Sequence, residues 1–133
     1  MKKTEAKIQT QIVQYLQSLG IWFCSIPNEA AGSGPSVKIR MSNLIAMGLR
    51  SGAPDLLAFL PGGRLLCLEI KATNGTQSQT QKDFQSRLEN LGFEYYIVRS
   101  VEDVEKIITQ INAKDYMPEY LATIKLLSPQ KKT

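Results

Sequence analysis

The sequence contains no histidine, and this absence removes several kinds of catalytic site at once. A Ser-His-Asp triad, a Cys-His pair, an imidazole general base and a histidine-liganded zinc are all excluded. Only two cysteines are present, Cys24 and Cys67, so a zinc site made of four cysteines is impossible as well. The side-chain ligands of any bound metal must therefore be mostly oxygens, which favours Mg²⁺ or Mn²⁺.

Long hydrophobic runs are also absent. No stretch of about 18 apolar residues occurs, so we expect no membrane span. The polar start MKKTEAKIQTQ is not typical of a signal peptide. Both cysteines lie inside apolar, strand-like runs, which predicts small buried hydrophobic side chains in a reducing compartment. We therefore expect a cytoplasmic protein.

The size and the charge distribution indicate a small domain with a polyanionic partner. The 133 residues, 43% of them hydrophobic, are typical of one soluble domain. We expect that domain over residues 1–114, followed by a C-terminal extension over residues 115–133 that is partly helical or disordered. The net charge is +4, and the whole excess lies in residues 1–50, which hold six Lys or Arg against two acids. A basic excess on one part of a small domain favours binding to nucleic acid.

The order of hydrophobic patterns predicts an α/β fold, a three-layer α/β/α sandwich with a central mixed sheet and the element order α-β-β-β-α-β-α. Both hairpin strands are apolar on both faces, so we expect them to be central and covered on both sides. The predicted elements are a helix over Glu5–Leu19, a strand over Ile21–Ile26, a short helix over about Val37–Met47 within a basic Gly-rich loop, a hairpin of Pro54–Leu60 and Arg64–Lys71, a helix over Thr80–Leu91 with Phe84, Leu88 and Leu91 facing inward, a strand over Tyr95–Arg99 and a last helix that opens at Ser100.

The hairpin brings three ionisable residues together. If it is symmetrical about Gly62, Asp55 lies opposite Glu69, and cross-strand partners share a face with Cβ atoms roughly 4.5–5.5 Å apart. Lys71 points to the same face because side chains alternate along a strand. Two carboxylates and one ammonium group should therefore meet at the open end of an apolar sheet.

Opposed carboxylates in an apolar sheet need a compensating cation. One candidate is Lys71 itself, in a purely structural Asp-Lys-Glu cluster. The other is a divalent metal bound by Asp55 and Glu69. Buried ion clusters add little stability, so the metal is the favoured interpretation.

Two more polar residues are predicted to converge on this site. Glu5 begins the first helix and Gln81 begins the helix over residues 80–91, each on the inward-facing stripe. Both also have an ordinary interpretation. An acid in the first turn complements the helix dipole, and a polar side chain is common at a helix start.

The order of these residues resembles a known nuclease signature. Gly52-x-Pro54-Asp55, thirteen residues and then Glu69-Ile70-Lys71 resemble the motif of the PD-(D/E)xK nucleases. The resemblance is closest to the stand-alone phage and bacterial form of the VRR-NUC group, the virus-type replication-repair nucleases, and covers about residues 4–112. It is carried by Asn28-Glu29 before a basic Gly-rich stretch, Met47-Gly48-Leu49-Arg50-x-Gly52-x-Pro54-Asp55, the helix start Thr80-Gln81-Lys82 and the later Val98-Arg99-Ser100.

The resemblance implies a restriction-endonuclease-like fold and a metal-dependent deoxyribonuclease. Asp55, Glu69 and the Ile70 carbonyl would bind Mg²⁺ or Mn²⁺, and Glu5 would complete the metal shell. Lys71 would position or activate the attacking water, and Gln81 would orient water or phosphate. The resemblance also implies a homodimer that acts on branched DNA, such as four-way (Holliday) junctions or flaps in replication and repair, inside a bacterial or phage-infected cell.

The basic residues Lys38, Arg40 and Arg50 are predicted to contact DNA phosphates rather than bases, although they could simply form a solvated face. Two other functions stay open. The chain could be a non-catalytic nucleic-acid-binding module that keeps the nuclease fold, but a decayed site would usually have lost one of its three charged residues. A small-molecule hydrolase is disfavoured because the basic excess and the open loop predict no enclosed apolar pocket.

Overall fold

The computed structural model describes residues 4–27 and 34–115. The predicted α/β fold with a mixed sheet is confirmed. Within these ranges the elements are α1 (Glu5–Ser18), β1 (Trp22–Ser25), α2 (Pro35–Ala46), β2 (Leu56–Leu60), a 3-10 turn (Pro61–Gly63), β3 (Arg64–Ile70), α3 (Gln79–Asn90), β4 (Glu94–Val98) and α4 (Val101–Asp115). The Asn28-Glu29 motif and the predicted C-terminal extension beyond residue 115 lie outside the described residues.

The sheet is mixed, with its strands in the order β1-β2-β3-β4. The first three strands are antiparallel neighbours, and β4 pairs parallel to β3. A parallel neighbour needs a crossover connection, which α3 provides. No helix in the described ranges is long and apolar enough to cross a membrane.

One face of the sheet is covered by α1 and α4, which also pack against each other. The Thr4 hydroxyl caps α1 by accepting a hydrogen bond from the Lys7 N–H at 3.2 Å, and Gly20 takes a positive φ just after the helix. The core on this face consists of Ile8, Ile12, Leu16 and Leu19 from the α1 segment, Val104, Ile108 and Ile111 from α4, and Leu56, Ala58, Leu66, Leu68, Ile70 and Val98 from the sheet.

The other face is less fully covered than the sequence predicts. Helix α3 packs against β4, so the far side of β2 stays partly open. Phe59 is 37% exposed and lies 5.2 Å from the ring of the exposed Trp22. Cys24, expected to be buried, is exposed on the same side, whereas Cys67 is buried. Leu91, predicted to face the core, follows the last turn of α3 and is 74% exposed.

The hairpin register is the one the sequence predicts. Leu56 pairs with Leu68 and Leu60 pairs with Arg64, a register symmetrical about Gly62. Gly62 has φ +78°, a conformation that glycine adopts at no steric cost. Asp55 immediately precedes β2, and Glu69 follows Leu68 on β3, so both carboxylates lie at the end of the sheet opposite the turn.

Gly52 allows the segment before β2 to pack directly against the first turn of α3. A Cβ atom at this position would overlap the Thr80 carbonyl group and lie 2.8 Å from the Gln81 nitrogen. These neighbours are backbone atoms of a helix, so they cannot move aside. With φ +85°, Gly52 is also in a conformation that side chains disfavour. This contact fixes the start of α3 relative to Asp55.

We expect Gly52→Ala to lower the free energy of unfolding by roughly 3 kcal/mol. The left-handed backbone costs a residue with a Cβ about 1–2 kcal/mol, and the overlap with helix backbone adds about as much again. Gly62→Ala is the matched control, because its φ is +78° and no atom lies within 4 Å of an added Cβ. Its free energy of unfolding should fall only by the cost of the left-handed backbone, about 1–2 kcal/mol. Equal losses in chemical denaturation would contradict the close contact.

Candidate active site

A cleft of about 470 Å³ opens at the end of the sheet opposite the hairpin turn. Its lining includes Asp55, Glu69, Glu5 and Gln81. The four residues come from the segment before β2, from β3, and from the first turns of α1 and α3. The topology therefore gathers four of the predicted site residues around one concave surface.

Hydrogen bonds to two strands fix the position of Asp55. Its Oδ2 atom accepts a hydrogen bond of 2.7 Å from the Ile70 N–H on β3, and its carbonyl accepts one of 2.9 Å from the Ile26 N–H after β1. The carboxylate is thereby held against the strand that carries Glu69. Ile70, whose carbonyl is a metal ligand implied by the resemblance, is the last residue of β3.

Glu69 is buried, with only 1% of its surface exposed, and one of its oxygens lacks a partner. The Tyr95 hydroxyl donates to Oε1 at 3.3 Å, while Oε2 is buried with no hydrogen bond. The direction of the tyrosine bond is set by Gln77, whose Nε2 donates to the same hydroxyl at 3.1 Å and leaves the hydroxyl proton for Glu69. An unpartnered buried carboxylate oxygen is costly, so this atom needs a proton or a cation.

The electrostatics of Glu69 are unusual. Burial raises its pKa to about 9, and the neighbouring Asp55 carboxyl adds to the shift. Lys71 and Tyr95 oppose this shift. Burial and the neighbouring Glu69 also raise the pKa of Tyr95 above its ordinary value, so its hydroxyl stays a donor. Two carboxyl groups this close cannot both be ionised comfortably without a cation between them.

Lys71 is buried and tied to the start of α3. Its Nζ atom donates to Gln81 Oε1 at 2.8 Å, and the same oxygen accepts the Ser78 N–H at 2.9 Å. The Ser78 hydroxyl in turn accepts the Gln81 N–H, which completes a capping box. Since both groups that reach the Gln81 side chain are donors, its oxygen faces them and its amide NH₂ is left for the cleft. Gln81 thus positions Lys71, a role that its sequence position did not reveal.

A tight turn follows Lys71 and borders Glu5. The Arg99 Nη1 atom donates to the carbonyl oxygens of Ala72 at 2.5 Å and Gly75 at 2.9 Å. A Cβ on Gly75 would lie 3.5 Å from Glu5 Oε1, so the turn passes close beside that side chain. Glu5 itself is exposed at the cleft edge.

The three predicted DNA-contacting residues are not gathered at the cleft. Lys38 and Arg40 are exposed on α2, a helix without a buried residue, and Arg50 lines a separate groove along α3. Their predicted contacts with phosphate stay predictions.

Sequence reasoning missed Tyr95, Gln77 and the hydrogen bonds of Arg99. Tyr95 is placed by the parallel register of β4, in which it pairs with Cys67, two residues before Glu69. No turn connects these strands directly, so nothing local in the sequence indicates that register. The Val98-Arg99-Ser100 motif marked Arg99 as part of the family pattern, but it did not indicate what Arg99 does.

A model of the VRR-NUC domain matches residues 3–102 of this chain. The chain belongs to the VRR-NUC family. The resemblance predicted from the motifs is thereby confirmed, and the domain is of nuclease type.

Two solved structures have a similar fold. One, described as a VRR_NUC domain, is 24% identical, covers 84% of this chain and 97% of its own, and has a TM-score of 0.56. The other, described as a VRR_NUC domain protein, is 22% identical, covers 88% of this chain and 95% of its own, and has a TM-score of 0.57. Identities this low show the fold alone. No match was found among curated proteins.

The donor set of this VRR-NUC domain fits a hard divalent cation. Asp55 and Glu69 supply oxygens from two adjacent chain segments, and the unpartnered Oε2 of Glu69 is available as a ligand. The third predicted carboxylate, Glu5, lines the same cleft. Among residues 4–27 and 34–115, however, no three His, Cys, Asp or Glu side chains are grouped closely enough to hold a metal. A metal would therefore rest on the two carboxylates together with non-carboxylate ligands, unless Glu5 moves inward.

We expect the free energy of unfolding of the metal-free protein to fall as the pH rises from about 5.5 to 8. Folded Glu69 keeps its proton up to about pH 9, whereas the unfolded side chain loses it near pH 4.3 (about its ordinary pKa). The unfolded state thus binds fewer protons in this window, and raising the pH favours it. The slope for one proton is at most about 1.4 kcal/mol per pH unit, measurable by chemical denaturation in EDTA.

The absence of histidine makes this measurement specific, because no other side chain type has an ordinary pKa between about 5 and 8. The side chain introduced by Glu69→Gln cannot titrate, so the free energy of unfolding of this variant should not change with pH in this window. Glu89→Gln, on the exposed side of α3, should keep the wild-type slope. Saturating Mg²⁺ should flatten the wild-type profile by favouring the ionised pair. A wild-type profile as level as that of Glu69→Gln would refute the raised pKa.

Proposed function

We propose that this VRR-NUC domain is a Mg²⁺- or Mn²⁺-dependent endonuclease that hydrolyses phosphodiester bonds in DNA. The observation that supports this most is the buried, unpartnered Glu69 oxygen beside Asp55. A fold gains nothing from such an arrangement unless a cation joins the two carboxylates. An open cleft next to them leaves room for a polymer substrate.

In this proposal Asp55 and Glu69 would hold the cation with the Ile70 carbonyl as a further ligand, and Glu5 would join them by moving inward from the cleft edge. When bound, the metal supplies positive charge that screens the phosphodiester and makes water easier to deprotonate. Tyr95 holds Glu69 Oε1 by a hydrogen bond, which would leave Oε2 as the oxygen that holds a cation. The carboxylates therefore enter the reaction already oriented, which lowers the cost of assembling the site.

Lys71 would act on both the attacking water and the phosphate group. Its Nζ atom would position the attacking water and stabilise the additional negative charge on the phosphoryl oxygens. Gln81 Oε1 fixes one of its three N–H donors and thus directs the other two. The Gln81 NH₂ group would then donate to water or to phosphate at the cleft.

Two alternatives have less support. In a purely structural cluster Lys71 would pair with the carboxylates, yet among the described residues no ion pair within 4.0 Å joins it to Asp55 or Glu69. A non-catalytic binding module would not need a buried lysine tied to a helix cap. The retained Asp55, Glu69 and Lys71 therefore favour an active enzyme.

The substrate proposal is branched DNA, such as a four-way junction or a flap, cut by a homodimer with two active sites. Lys38, Arg40 and Arg50 would contact phosphates. Helix α2 is a candidate for the dimer contact, since its Ile39 and Ile45 side chains and the adjacent Met47 are exposed. The proposed location is the cytoplasm of a bacterial or phage-infected cell.

We expect the wild-type chain to cleave a labelled four-way junction with Mg²⁺ or Mn²⁺ and to be inactive in EDTA. Glu69→Gln and Asp55→Asn should each lower the cleavage rate by a factor of about 100 or more, because each removes a charged metal ligand. Glu102→Gln, an exposed change on α4, should leave the rate unchanged. Junction retention without cleavage under every metal condition would favour the binding module instead.

Lys71→Ala should separate metal binding from turnover. We expect Mn²⁺ affinity, measured by calorimetry, to stay near the wild-type value because both carboxylates remain. The cleavage rate at saturating Mn²⁺ should fall by a factor of about 100 to 10,000. Lys82→Ala, which removes an exposed lysine on α3, should retain full turnover. Turnover that survives in Lys71→Ala would exclude this lysine from the mechanism.

A further inference from the structure

A second concave surface lies beside the cleft, along α3. This α3 groove has a volume of about 600 Å³ and is lined by Arg50, Thr80, Phe84, Arg87, Leu88 and Leu91. It begins next to the candidate active site, because Thr80 lines the groove and the adjacent Gln81 lines the cleft. Gly52 packs against the Thr80 backbone at this boundary.

The charges of the α3 groove favour an anionic occupant. Arg50 and Arg87 are exposed, and neither forms an ion pair with a described carboxylate. The one acid in the groove, Asp83, accepts a hydrogen bond of 2.8 Å from the Gln79 amide. Two guanidinium groups are thus available to an incoming phosphate.

The rest of the groove is apolar and incompletely covered. Phe84 and Leu88 are half-buried, and Leu91 is 74% exposed. A DNA duplex presents phosphates outward and keeps its bases stacked inside, so these side chains could reach sugars and base edges but not the base faces. An unpaired strand presents both phosphates and base faces, and aromatic or apolar platforms between basic residues are the usual way to bind it.

We propose that the α3 groove binds an unpaired segment of the DNA substrate, with phosphates on Arg50 and Arg87 and bases on Phe84 and Leu91. This inference rests on the proposed nuclease function and specifies its substrate as DNA with a single-stranded portion at the cleavage site. From Gln81 to Leu91 the helix rises about 15 Å, enough for only a few nucleotides. The groove would thus guide a short unpaired strand to or from the cleft.

Binding of fluorescent DNA in EDTA tests this inference without cleavage. The probes are a blunt duplex and the same duplex with a short unpaired tail. We expect Arg87→Ala to weaken binding of the tailed duplex about fivefold and to reduce its log–log salt slope by about 0.7, the value for one phosphate contact on a single strand. Leu91→Ser should weaken binding of the tailed duplex with an unchanged salt slope. Neither variant should alter binding of the blunt duplex.

Lys106→Ala, an exposed lysine on α4 outside the groove, is the matched control and should leave both affinities and slopes unchanged. Both groove residues are exposed, so thermal melts should match wild type. Equal effects on the two probes, or no effect on either, would overturn the inference. Monomerisation of Arg87→Ala or Leu91→Ser in light scattering, with unchanged DNA binding, would assign the groove to a second copy of the chain.

Cleavage assays separate this inference from the proposed function. If the wild type cuts no DNA with Mg²⁺ or Mn²⁺, the nuclease proposal fails. If the wild type and Arg87→Ala cut tailed and blunt substrates with the same KM, the nuclease proposal stands and the groove assignment fails. A KM that rises only for tailed DNA, with unchanged kcat, supports the assignment.

Discussion

The site depends on two carboxylates that the fold holds together at the cleft, one of them buried. The Asp55 carboxyl lies close enough to raise the pKa of Glu69, and Glu69 keeps one oxygen buried without a hydrogen-bond partner. Such a pair is stable only when a proton or a cation lies between the two groups. The remaining polar contacts maintain this arrangement: the Ile70 N–H holds Asp55, Tyr95 holds the other oxygen of Glu69, and Gln81 holds Lys71 alongside. Whether a proton or a divalent ion occupies the site then depends on the pH and on the metal concentration.

Much of this site could be predicted because it is built on local geometry. A tight turn sets the register of an antiparallel hairpin, so the symmetry about Gly62 alone puts Asp55 beside Glu69. The helix-start pattern similarly located Gln81 in the first turn of α3. The stripe of Ile8, Ile12 and Leu16 identified the buried face of α1 because its spacing is that of a helix.

The parts that sequence reasoning missed depend on distant pairings. Tyr95 reaches Glu69 through a parallel register that no turn defines, so its role becomes visible only when β4 is placed. Leu91 fits a helical stripe, but the helix ends one residue earlier and the side chain faces solvent. Cys24 lies in an apolar run, but β1 is an edge strand. Among the described elements no helix covers β1 on the sheet face opposite α1, so Cys24 is exposed there. Periodicity identifies apolar residues but cannot say whether a covering layer exists.

One oxygen atom joins two tasks that are usually independent. Gln81 Oε1 accepts both the Ser78 N–H that closes the cap of α3 and the Lys71 ammonium group. A replacement must therefore reach equally far and offer an acceptor to both donors, which among the standard side chains leaves only glutamate. Asparagine is one methylene too short, and a hydroxyl side chain would give up at least one of the two bonds. The range of residues tolerated at position 81 should accordingly be narrow even if the glutamine never touches substrate, so invariance there among relatives would not by itself identify a catalytic group.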